Sequence, residues 1–352
     1  MAVDLLLVGR EGNGKSSTGN SILNQKVFIP RTATSQVSSD INKRTATIDG
    51  KTVNVVDGLS LLDSSTDGVD NVRQTIGHAE RALSQFARGC NAVIIVLKYG
   101  IRFTNQEKNA VNIIRSLFGE NIIKNYGVIV MTYGDNFAND MEENGTTFET
   151  WCQNQTGDVR DLFRECGNRF VLFNNKTNDS KQIKEQFRNL MSKVDEVKKR
   201  DSHYTLDTFR AAKFGQRKLI VQSKLSDLQT ATNNVLDFVT QSLRKLDESF
   251  YSPSNYINEL DRLKYEVDRH KAFLEVEDEG TNSISQLKLQ ISITEASIST
   301  KKERHLRKIE YDNQILTSST SGMTINAPPQ VKIVITFVVI FLFSVAIYFF
   351  FF

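Results

Sequence analysis

The feature that most constrains the fold is a glycine-rich segment near the start of the chain. Residues Gly9 to Ser16 read GREGNGKS, a full match to the pattern G-x-x-x-x-G-K-[S/T]. An apolar run, residues 5–8, leads into it as a buried strand would, and residues 17–23 continue with a helical pattern. A strand, a glycine loop and a helix in this order are typical of a loop that binds nucleotide phosphates. The sequence therefore predicts an α/β domain that opens with a phosphate-binding loop.

Each residue type in this loop suits a polyphosphate. The glycines let the backbone turn tightly, so that successive N–H groups point at phosphate oxygens. We expect Lys15 to reach the β- and γ-phosphates and to be catalytic, and the Ser16 hydroxyl to bind Mg²⁺. The helix N-terminus adds its partial positive charge. The predicted nucleotide-binding set in this loop is Gly9, Arg10, Glu11, Gly12, Asn13, Gly14, Lys15, Ser16 and Ser17.

Strand and helix patterns alternate along the first 200 or so residues. Two β-type runs, residues 45–48 and 52–56, flank Asp49-Gly50, a strong hairpin signal. Short apolar runs, separated by polar helical stretches, follow at residues 92–97, 127–132 and 169–173. This alternation predicts a mostly parallel sheet with helices on both faces, and the hairpin supplies one antiparallel edge strand.

From about residue 201 the pattern changes to long polar segments with helical spacing. Apolar residues follow a 4-3 spacing over 221–246 and again over 260–274. Polar Thr232, Ser242 and His270 interrupt this stripe, so a coiled coil and packing of helices within the chain remain equal alternatives. Residues 287–293 alternate apolar and polar with period two, which leaves strand and helix open there.

Composition argues against nucleic-acid partners, disulfides and a zinc site. The net charge is +3 and the charges are nearly balanced, so we expect no nucleic-acid binding. Three cysteines without a C-x-x-C pair, together with four scattered histidines, argue against disulfides and a zinc site. A reducing, cytosolic setting fits this cysteine content.

The end of the sequence predicts a membrane anchor. Residues 333–352 carry no charge and are long enough, at about 1.5 Å per residue, to cross a hydrocarbon core of about 30 Å. We expect a single-pass C-terminal anchor that inserts after translation, with the nucleotide-binding domain in the cytosol. The predicted domains are a G domain at 1–200, a helical region at 201–317, a flexible stalk at 318–332 and a transmembrane tail at 333–352.

Three further blocks at strand ends indicate which nucleotide is bound. Asp57 ends one strand and could hold Mg²⁺ through a water. Thr132 and Asp135 form a T-x-x-D block after another strand, where a carboxylate can accept both N–H donors of the guanine edge. Asn174 and Asn175 end a third strand with two amides that could reach the base or its ribose. Together, and in this order, the blocks predict GTP and GDP as ligands with Mg²⁺.

At this point the residues resemble the GIMAP, or immunity-associated nucleotide-binding, AIG-type GTPases. The loop and first helix GKSSTGNSIL, the R-F-T box within residues 100–120, the T-x-x-D block and the F-N-N block all resemble that family's motifs. The likeness covers about residues 1–200. It implies a P-loop GTPase fold, dimers or oligomers formed through the G domain, and in several relatives a C-terminal membrane anchor.

The chain departs from this family in its switch segments. The family usually reads D-T-P-G where residues 57–60 read D-G-L-S, and Leu61 stands where a water-orienting glutamine would follow. We therefore expect slow intrinsic hydrolysis. Ser38 is the expected Mg²⁺-sensing hydroxyl, with Thr32 and Thr34 as rivals.

Two functions follow from these motifs. The first is a membrane-anchored GTPase that dimerises through its nucleotide face, with Arg102 of one subunit acting catalytically in the other, or else forming a surface ion pair. The second is a hydrolysis-deficient GTP-binding scaffold that oligomerises on a membrane. A third, an ATP-driven enzyme, conflicts with Asp135 and with the lack of an acceptor-site motif.

Overall fold

The computed structural model describes residues 2–29, 41–61, 68–100, 103–142, 145–198 and 203–321. The chain divides into two compact units between Lys224 and Leu225. We call them the first unit and the second unit. The predicted domain limits are not tested by this division and stay predictions.

The first unit alternates strands and helices. Its strands are β1 (Val3–Arg10), β2 (Asn42–Ile48), β3 (Lys51–Leu61), β4 (Ala92–Lys98), β5 (Gly127–Thr132) and β6 (Phe170–Leu172). Its helices are α1 (Lys15–Leu23), α2 (Gly68–Ser84), α3 (Asn105–Phe118), α4 (Ile122–Tyr126), α5 (Gly134–Glu142), α6 (Phe148–Gln153), α7 (Gly157–Glu165), α8 (Ser180–Lys198), α9 (Leu206–Ala211) and α10 (Lys213–Ser223).

The strands form one sheet in the order β2-β3-β1-β4-β5-β6. Every neighbouring pair is parallel except β2 with β3, which is antiparallel and lies at the edge. The connecting turn is the Asp49-Gly50 pair, and both residues have positive φ, 46° and 74°. Positive φ at both central positions is what a two-residue hairpin of this twist requires. The predicted parallel sheet with an antiparallel hairpin is confirmed.

The middle of the sheet is covered on both faces. All six residues of β5 and the first six of β4 are buried, although alternate side chains point to opposite faces. Both faces must therefore be packed, which is why these strands read as unbroken apolar runs. Helices α1, α2 and α3 contact β1 or β3, α4 contacts β4 and β5, and α8 contacts β6. This confirms the predicted layering.

The segment after residue 200 first returns to the sheet domain. Tyr204 is 1% exposed, pairs through its backbone with Cys90, and donates its hydroxyl to the Phe118 carbonyl oxygen at 2.7 Å. Helix α10 then packs against α3 so closely that a Cβ at Gly215 would lie 2.3 Å from the Ser116 carbonyl oxygen. Helices α9 and α10 therefore belong to the core of the first unit.

The second unit consists, in its described part, of three helices. They are α11 (Leu225–Glu248), α12 (Pro253–Glu277) and α13 (Ser285–Ser321). The helices pack on one another within the chain, and the predicted stripe supplies their buried side chains. Of the two alternatives for this stripe, the structure shows packing within the chain. The buried members are Leu228, Thr232, Val239, Leu246, Leu260, Leu263, Val267, His270 and Leu274.

Two of the polar residues in the stripe, Thr232 and His270, bond with each other. The Thr232 hydroxyl donates to the Leu228 carbonyl oxygen at 2.7 Å and lies 3.0 Å from Nε2 of His270. Since the hydroxyl has one proton, it accepts from an Nε2–H. Burial, followed by the neighbouring Arg269, lowers the pKa of His270. His270 is thus neutral in the interface between α11 and α12, and its Nε2–H is hydrogen-bonded.

The period-two segment is part of α13. Leu287 and Ile291 are buried, whereas Leu289 and Ile293 are 59% and 61% exposed. Positions four apart share a helix face, so one pair packs inward and the other faces solvent. The contact with α12 resolves an alternation that the sequence left open.

The predicted membrane segment, residues 333–352, lies outside the described residues. Among the helices that the structure does describe, none combines the length and apolar character needed to cross a bilayer.

Candidate functional site

The glycine loop lies between β1 and α1 at the carboxyl edge of the sheet. A Cβ at Gly9 would lie 2.5 Å from the carbonyl oxygen of Val96, so only glycine fits where the loop leaves β1. Gly14 has a φ of 89° and is the N-cap of α1. This conformation is open to glycine at little cost. The chain thereby turns directly from strand to helix, and the N–H groups of the first turn of α1 lie at the loop.

Two side chains tie the loop to the neighbouring strands. Asn13 donates from Nδ2 to the Val96 carbonyl oxygen at 3.1 Å. The Thr132 hydroxyl lies 2.9 Å from the Asn13 carbonyl oxygen and 3.2 Å from that of Leu97. All three bonds are buried, so the loop is held against the ends of β4 and β5 before any ligand binds. Thr132 therefore links the end of β5 to the glycine loop.

Lys15 lies within the loop. Its Nζ donates to the Arg10 carbonyl oxygen at 2.8 Å, and the residue is 7% exposed. Ser16 and Ser17 are half-buried in the same turn of α1, whereas Glu11 is exposed. A lysine that donates to a backbone carbonyl can exchange that neutral acceptor for a phosphate oxygen.

Arg10 anchors the other side of the loop. Its Nη1 lies 2.8 Å from Oε1 of Glu107, and Nη2 donates to Gln106 at 3.2 Å. The Glu107 side chain is 3% exposed, and its Oε2 has no hydrogen-bond partner among the described residues. This ion pair fixes the glycine loop against the first turn of α3.

Two of the residues predicted to hold Mg²⁺, Ser16 and Asp57, lie on α1 and β3. Asp57 is half-buried and pairs with Leu7 across β1 and β3. The register then shifts by one residue, so that Gly58 is extra and Ser60 lies opposite Gly9. Without the proline of D-T-P-G, each residue here has an N–H that can join the sheet. Strand β3 therefore continues alongside β1 to Leu61. The metal candidate Ser38 and its rivals lie outside the described residues.

The base side is built from the ends of β5 and β6. Gly134 donates its N–H to the Phe173 carbonyl oxygen at 2.9 Å, which joins the two loops. Asp135 is in the first turn of α5, and its Oδ2 lies 2.7 Å from Nζ of Lys176. The hydrogen bond from Lys176 lowers the pKa of the Asp135 carboxyl, and the same bond raises the pKa of Lys176. Both groups are therefore charged at neutral pH.

The two candidate amides have different surroundings. Asn174 is bonded locally, because its Oδ1 accepts from the Lys176 N–H at 3.0 Å. Asn175 reaches α1 instead: its Nδ2 donates to Thr18 at 3.1 Å and its Oδ1 accepts from the Ser21 hydroxyl at 2.8 Å. Asn175 thus fastens the base loop to the helix of the phosphate loop. Contact of either amide with a base stays a prediction.

The structure brings most of the predicted site residues to one edge of the sheet. Arg102 lies outside the described residues. Sequence reasoning assigned no role to Lys98, Glu107 or Lys176, although all three lie around this edge. The position of Lys176 directly after the F-N-N block was a usable signal. Glu107 carried a misleading one, since Thr104-x-x-Glu107 also fits a helix capping box.

Tyr133 completes the base side. Its φ is 61°, a left-handed conformation that is uncommon for tyrosine. Nζ of Lys98 lies 4.4 Å from the centre of its ring, and Nζ of Lys176 lies 5.9 Å from it. Both distances are within the range of a cation–π contact. A cation, an aromatic ring and a second cation therefore lie at or shortly after the ends of three neighbouring strands, β4, β5 and β6.

Several known proteins are similar to this chain. Immune-associated nucleotide-binding protein 9 of Arabidopsis thaliana is 34% identical over 261 residues, which is 73% of this chain and 72% of that protein. Immune-associated nucleotide-binding protein 7 of the same plant is 34% identical over 222 residues, 62% of this chain and 68% of that protein. A solved structure of Toc33 from Arabidopsis thaliana with Mg²⁺ and GMPPNP covers 55% of this chain and 85% of its own, at 16% identity and a TM-score of 0.40. That structural likeness is too low to support an argument.

A family model decides the assignment. The AIG1 family model matches residues 3–259, which is well over half of the 352 residues. The match takes in the glycine loop, the strand-end blocks and helices α9 to α11. The chain belongs to the AIG1 family.

Proposed function

We propose that this protein binds GTP and GDP together with Mg²⁺ at the carboxyl edge of its sheet. One observation carries the proposal. A preformed glycine loop after β1 and a carboxylate suited to guanine after β5 lie at the same edge of the sheet, and Thr132 and Asn175 tie the base side to that loop and to α1. Ligands in open α/β sheets bind at this edge.

The phosphate half uses Lys15 and α1. The N–H groups of the glycine loop and of the first turn of α1 point towards anions, and Lys15 adds a charge that is now held by a neutral carbonyl. Phosphate oxygens are stronger acceptors for an ammonium than that carbonyl. We therefore assign Lys15 to the β- and γ-phosphates and the loop residues to the polyphosphate.

The residues present fit a magnesium ion. Ser16 offers a hydroxyl in the first turn of α1, and Asp57 offers a carboxylate in β3. Oxygen donors of this kind suit Mg²⁺, which keeps several waters and uses few protein ligands. Ser16 would bind the ion directly and Asp57 through a water. When bound, the ion neutralises charge on the phosphate oxygens.

The base half assigns guanine to Asp135. A carboxylate accepts the N1–H and the 2-amino group together, whereas adenine offers no such pair of donors on that edge. Asp135 keeps its negative charge at neutral pH, as its lowered pKa indicates. Nucleotide choice is thus set at the start of α5, beside the predicted contacts of Asn174 and Asn175.

Two forms of the activity remain open. In the first, the protein hydrolyses GTP slowly and dimerises through its nucleotide face, where Arg102 would act across subunits. In the second, it is a GTP-binding scaffold that hardly turns over. The continuation of β3 to Leu61 beside β1 favours the second, because residues expected to respond to the γ-phosphate are paired in the sheet.

We place this activity on the cytosolic face of a membrane, anchored by residues 333–352. This uncharged, mostly apolar segment of 20 residues supplies an insertion energy that a peripheral contact does not match. Carbonate extraction of full-length protein and of a chain ending at Gln330 tests this assignment. Release of the full-length protein, or retention of the shorter one, would contradict it.

The nucleotide assignment is tested by affinity. Calorimetry with Mg²⁺ should show tight GTP and GDP binding and no comparable binding of ATP. Lys15→Ala should abolish tight binding. Asp135→Asn should weaken GTP binding about 10- to 100-fold, the range expected for a lost charged hydrogen bond, and improve XTP binding. Asp161→Asn removes an exposed carboxylate elsewhere and should change neither affinity.

The two forms of the activity are separated by single-turnover hydrolysis measured against protein concentration. A quadratic rise in rate supports the dimeric GTPase, whereas a flat trace near zero supports the scaffold. Unchanged GTP and XTP affinities in Asp135→Asn would instead overturn the base assignment itself.

A further inference from the structure

The Lys176–Asp135 ion pair lies where the proposed guanine contact must form. Lys176 is in the loop after β6, and Asp135 follows β5, so the pair bridges two neighbouring strand ends. Asp135 exposes 27% of its side chain and Lys176 exposes 70%. The carboxylate is therefore reachable from solvent, and one of its two oxygens already holds a cationic donor.

An ammonium group and the guanine edge are chemically alike at this point. Each presents N–H donors to a carboxylate, and an ammonium has no acceptor. Guanine needs both Asp135 oxygens at once, since it offers two parallel donors. Nζ of Lys176 donates to Oδ2 of Asp135 at 2.7 Å and so already occupies one of these two oxygens.

We propose that Lys176 is an internal competitor of the guanine base, which occupies Asp135 in the empty protein and must leave it when guanine nucleotide binds. This inference rests on the proposed function, because it takes Asp135 as the guanine contact. The lowered pKa of Asp135 and the raised pKa of Lys176 agree with an ion pair that is formed at neutral pH.

The surroundings keep the free-energy cost of displacing Lys176 from Asp135 small. Lys176 is largely solvated, so its pair with Asp135 is of the weak, exposed kind. When it leaves the carboxylate, its Nζ is already 5.9 Å from the centre of the Tyr133 ring, which offers a second, cation–π partner. Lys98 lies closer to this ring, at 4.4 Å from its centre. The competing cation is thus held near the site in both states.

The hydrogen bonds of the loop after β6 determine which residue competes with guanine. Asn174 accepts the Lys176 N–H at its own Oδ1, and this turn directs the chain after β6. Asn175 is tied to α1 by two side-chain bonds. The loop is therefore held by bonds of the two residues just before Lys176, and from this loop the lysine reaches Asp135.

The test is the affinity of full-length Lys176→Met protein for GTP and GDP, in mild detergent with Mg²⁺. Removing the competitor should tighten binding of both nucleotides about two- to fivefold, the range of exposed ion pairs. The two gains should be equal, because the ion pair involves the base and not the γ-phosphate. The gain should shrink from low to high salt, as ion pairs in solvent are screened.

Matched variants make the outcome specific. Lys181→Met removes the same charge from an exposed position at the start of α8 and should not tighten binding. Lys176→Arg keeps a cation opposite Asp135 and should stay within about twofold of the original affinity. In an Asp135→Asn background, Lys176→Met should give no gain, since no carboxylate is left to release.

The outcomes separate the two claims. Weaker or unchanged binding in Lys176→Met, with Asp135→Asn still shifting preference from GTP to XTP, would overturn the competitor and leave the guanine assignment intact. If Asp135→Asn leaves GTP and XTP affinities unmoved, the guanine assignment itself fails. A gain in Lys176→Met that persists without the carboxylate would also overturn the inference, because it could not arise from the ion pair.

Discussion

The two units of this chain place their polar side chains in different ways. In the first unit, Asn13, Thr132 and Asp135 lie at the ends of parallel strands or in the segments that directly follow them. In the second unit, many polar contacts run between the sides of helices, as in the Thr232–His270 bond and the pairs of Glu295 with two lysines. The first arrangement converges on one edge, and the second is spread along the helix axes.

The difference follows from backbone hydrogen bonding. A helix satisfies nearly all of its own N–H and C=O groups, so its side chains are left to pair across the interface. A parallel strand ends in a loop whose backbone and side-chain groups have no such partner in the sheet. Ligand-binding groups therefore lie at strand ends, and we expect the charged side chains of the second unit to pair with one another.

The largest expected effect concerns a buried cation in the first unit. Arg169 is 1% exposed and donates to the carbonyl oxygens of Gly127, Ile123 and Lys124 at 2.9, 3.1 and 2.7 Å. Arg169→Met should destabilise the first unit by about 3–5 kcal/mol, because three buried carbonyls lose a charged donor.

Trp151 makes this measurable, since it is the one tryptophan of the chain and lies in the first unit. Urea unfolding followed by its fluorescence should shift strongly in Arg169→Met. The exposed Arg164→Met in α7 should shift it by less than about 0.5 kcal/mol. A small shift in both would show that water replaces the guanidinium at these carbonyls.

The second effect concerns the glycine loop. Arg10→Met leaves Glu107 buried without its cation and should cost about 2–3 kcal/mol in the Trp151 transition, in addition to weakening nucleotide binding. The double variant Arg10→Met with Glu107→Met should recover much of the stability, since no unpaired charge remains. Additive losses in the double variant would mean that the two groups act separately.

The third effect belongs to the second unit. Thr232→Val keeps the shape of the side chain but leaves the His270 Nε2–H unpaired in the interface. We expect a loss of about 1–2 kcal/mol, seen as faster hydrogen exchange in peptides from α11 and α12. The Trp151 transition should not move. A shift of that transition would break the distinction between the units.

The same interface should depend on pH. Burial lowers the pKa of His270, and burial also lowers that of His305, which stacks on the Tyr256 ring at 4.0 Å. A folded pKa below the unfolded value of 6.5 means that stability is present above pH 6.5 and is lost as the pH falls through the folded pKa. The protection of α12 amides, corrected for the pH dependence of intrinsic exchange, should therefore fall below pH 6.5, and less so in His270→Leu.

The smallest effect concerns the surface charges of the second unit. Glu295 lies 2.6 Å from Nζ of Lys271 and 3.2 Å from that of Lys264. These pairs are partly exposed, so Glu295→Gln should cost no more than about 0.5 kcal/mol. A loss above about 2 kcal/mol, measured by exchange in α12 and α13, would show that the helix pairing depends on charge as much as on its apolar stripe.

Much of the fold could be read from local patterns. The glycine loop, the buried strands β4 and β5 and the Asp49-Gly50 hairpin are recognisable because each depends on residues close in sequence. The segment 287–293 could not be assigned, since its alternation fits both a strand and a helix. Only the packing of α13 on α12 decides which of its faces is buried.

The site divides in the same way. The sequence by itself determined the residue types at the strand ends, because glycine turns and acids after apolar runs are local signals. Tertiary structure alone decided their partners. Lys176 meets Asp135, Arg10 meets Glu107 and Asn175 meets α1, although 41, 97 and more than 150 residues separate them. Hydrogen bonds depend on distance in space, and the order of the parallel strands, which no local pattern encodes, sets those distances.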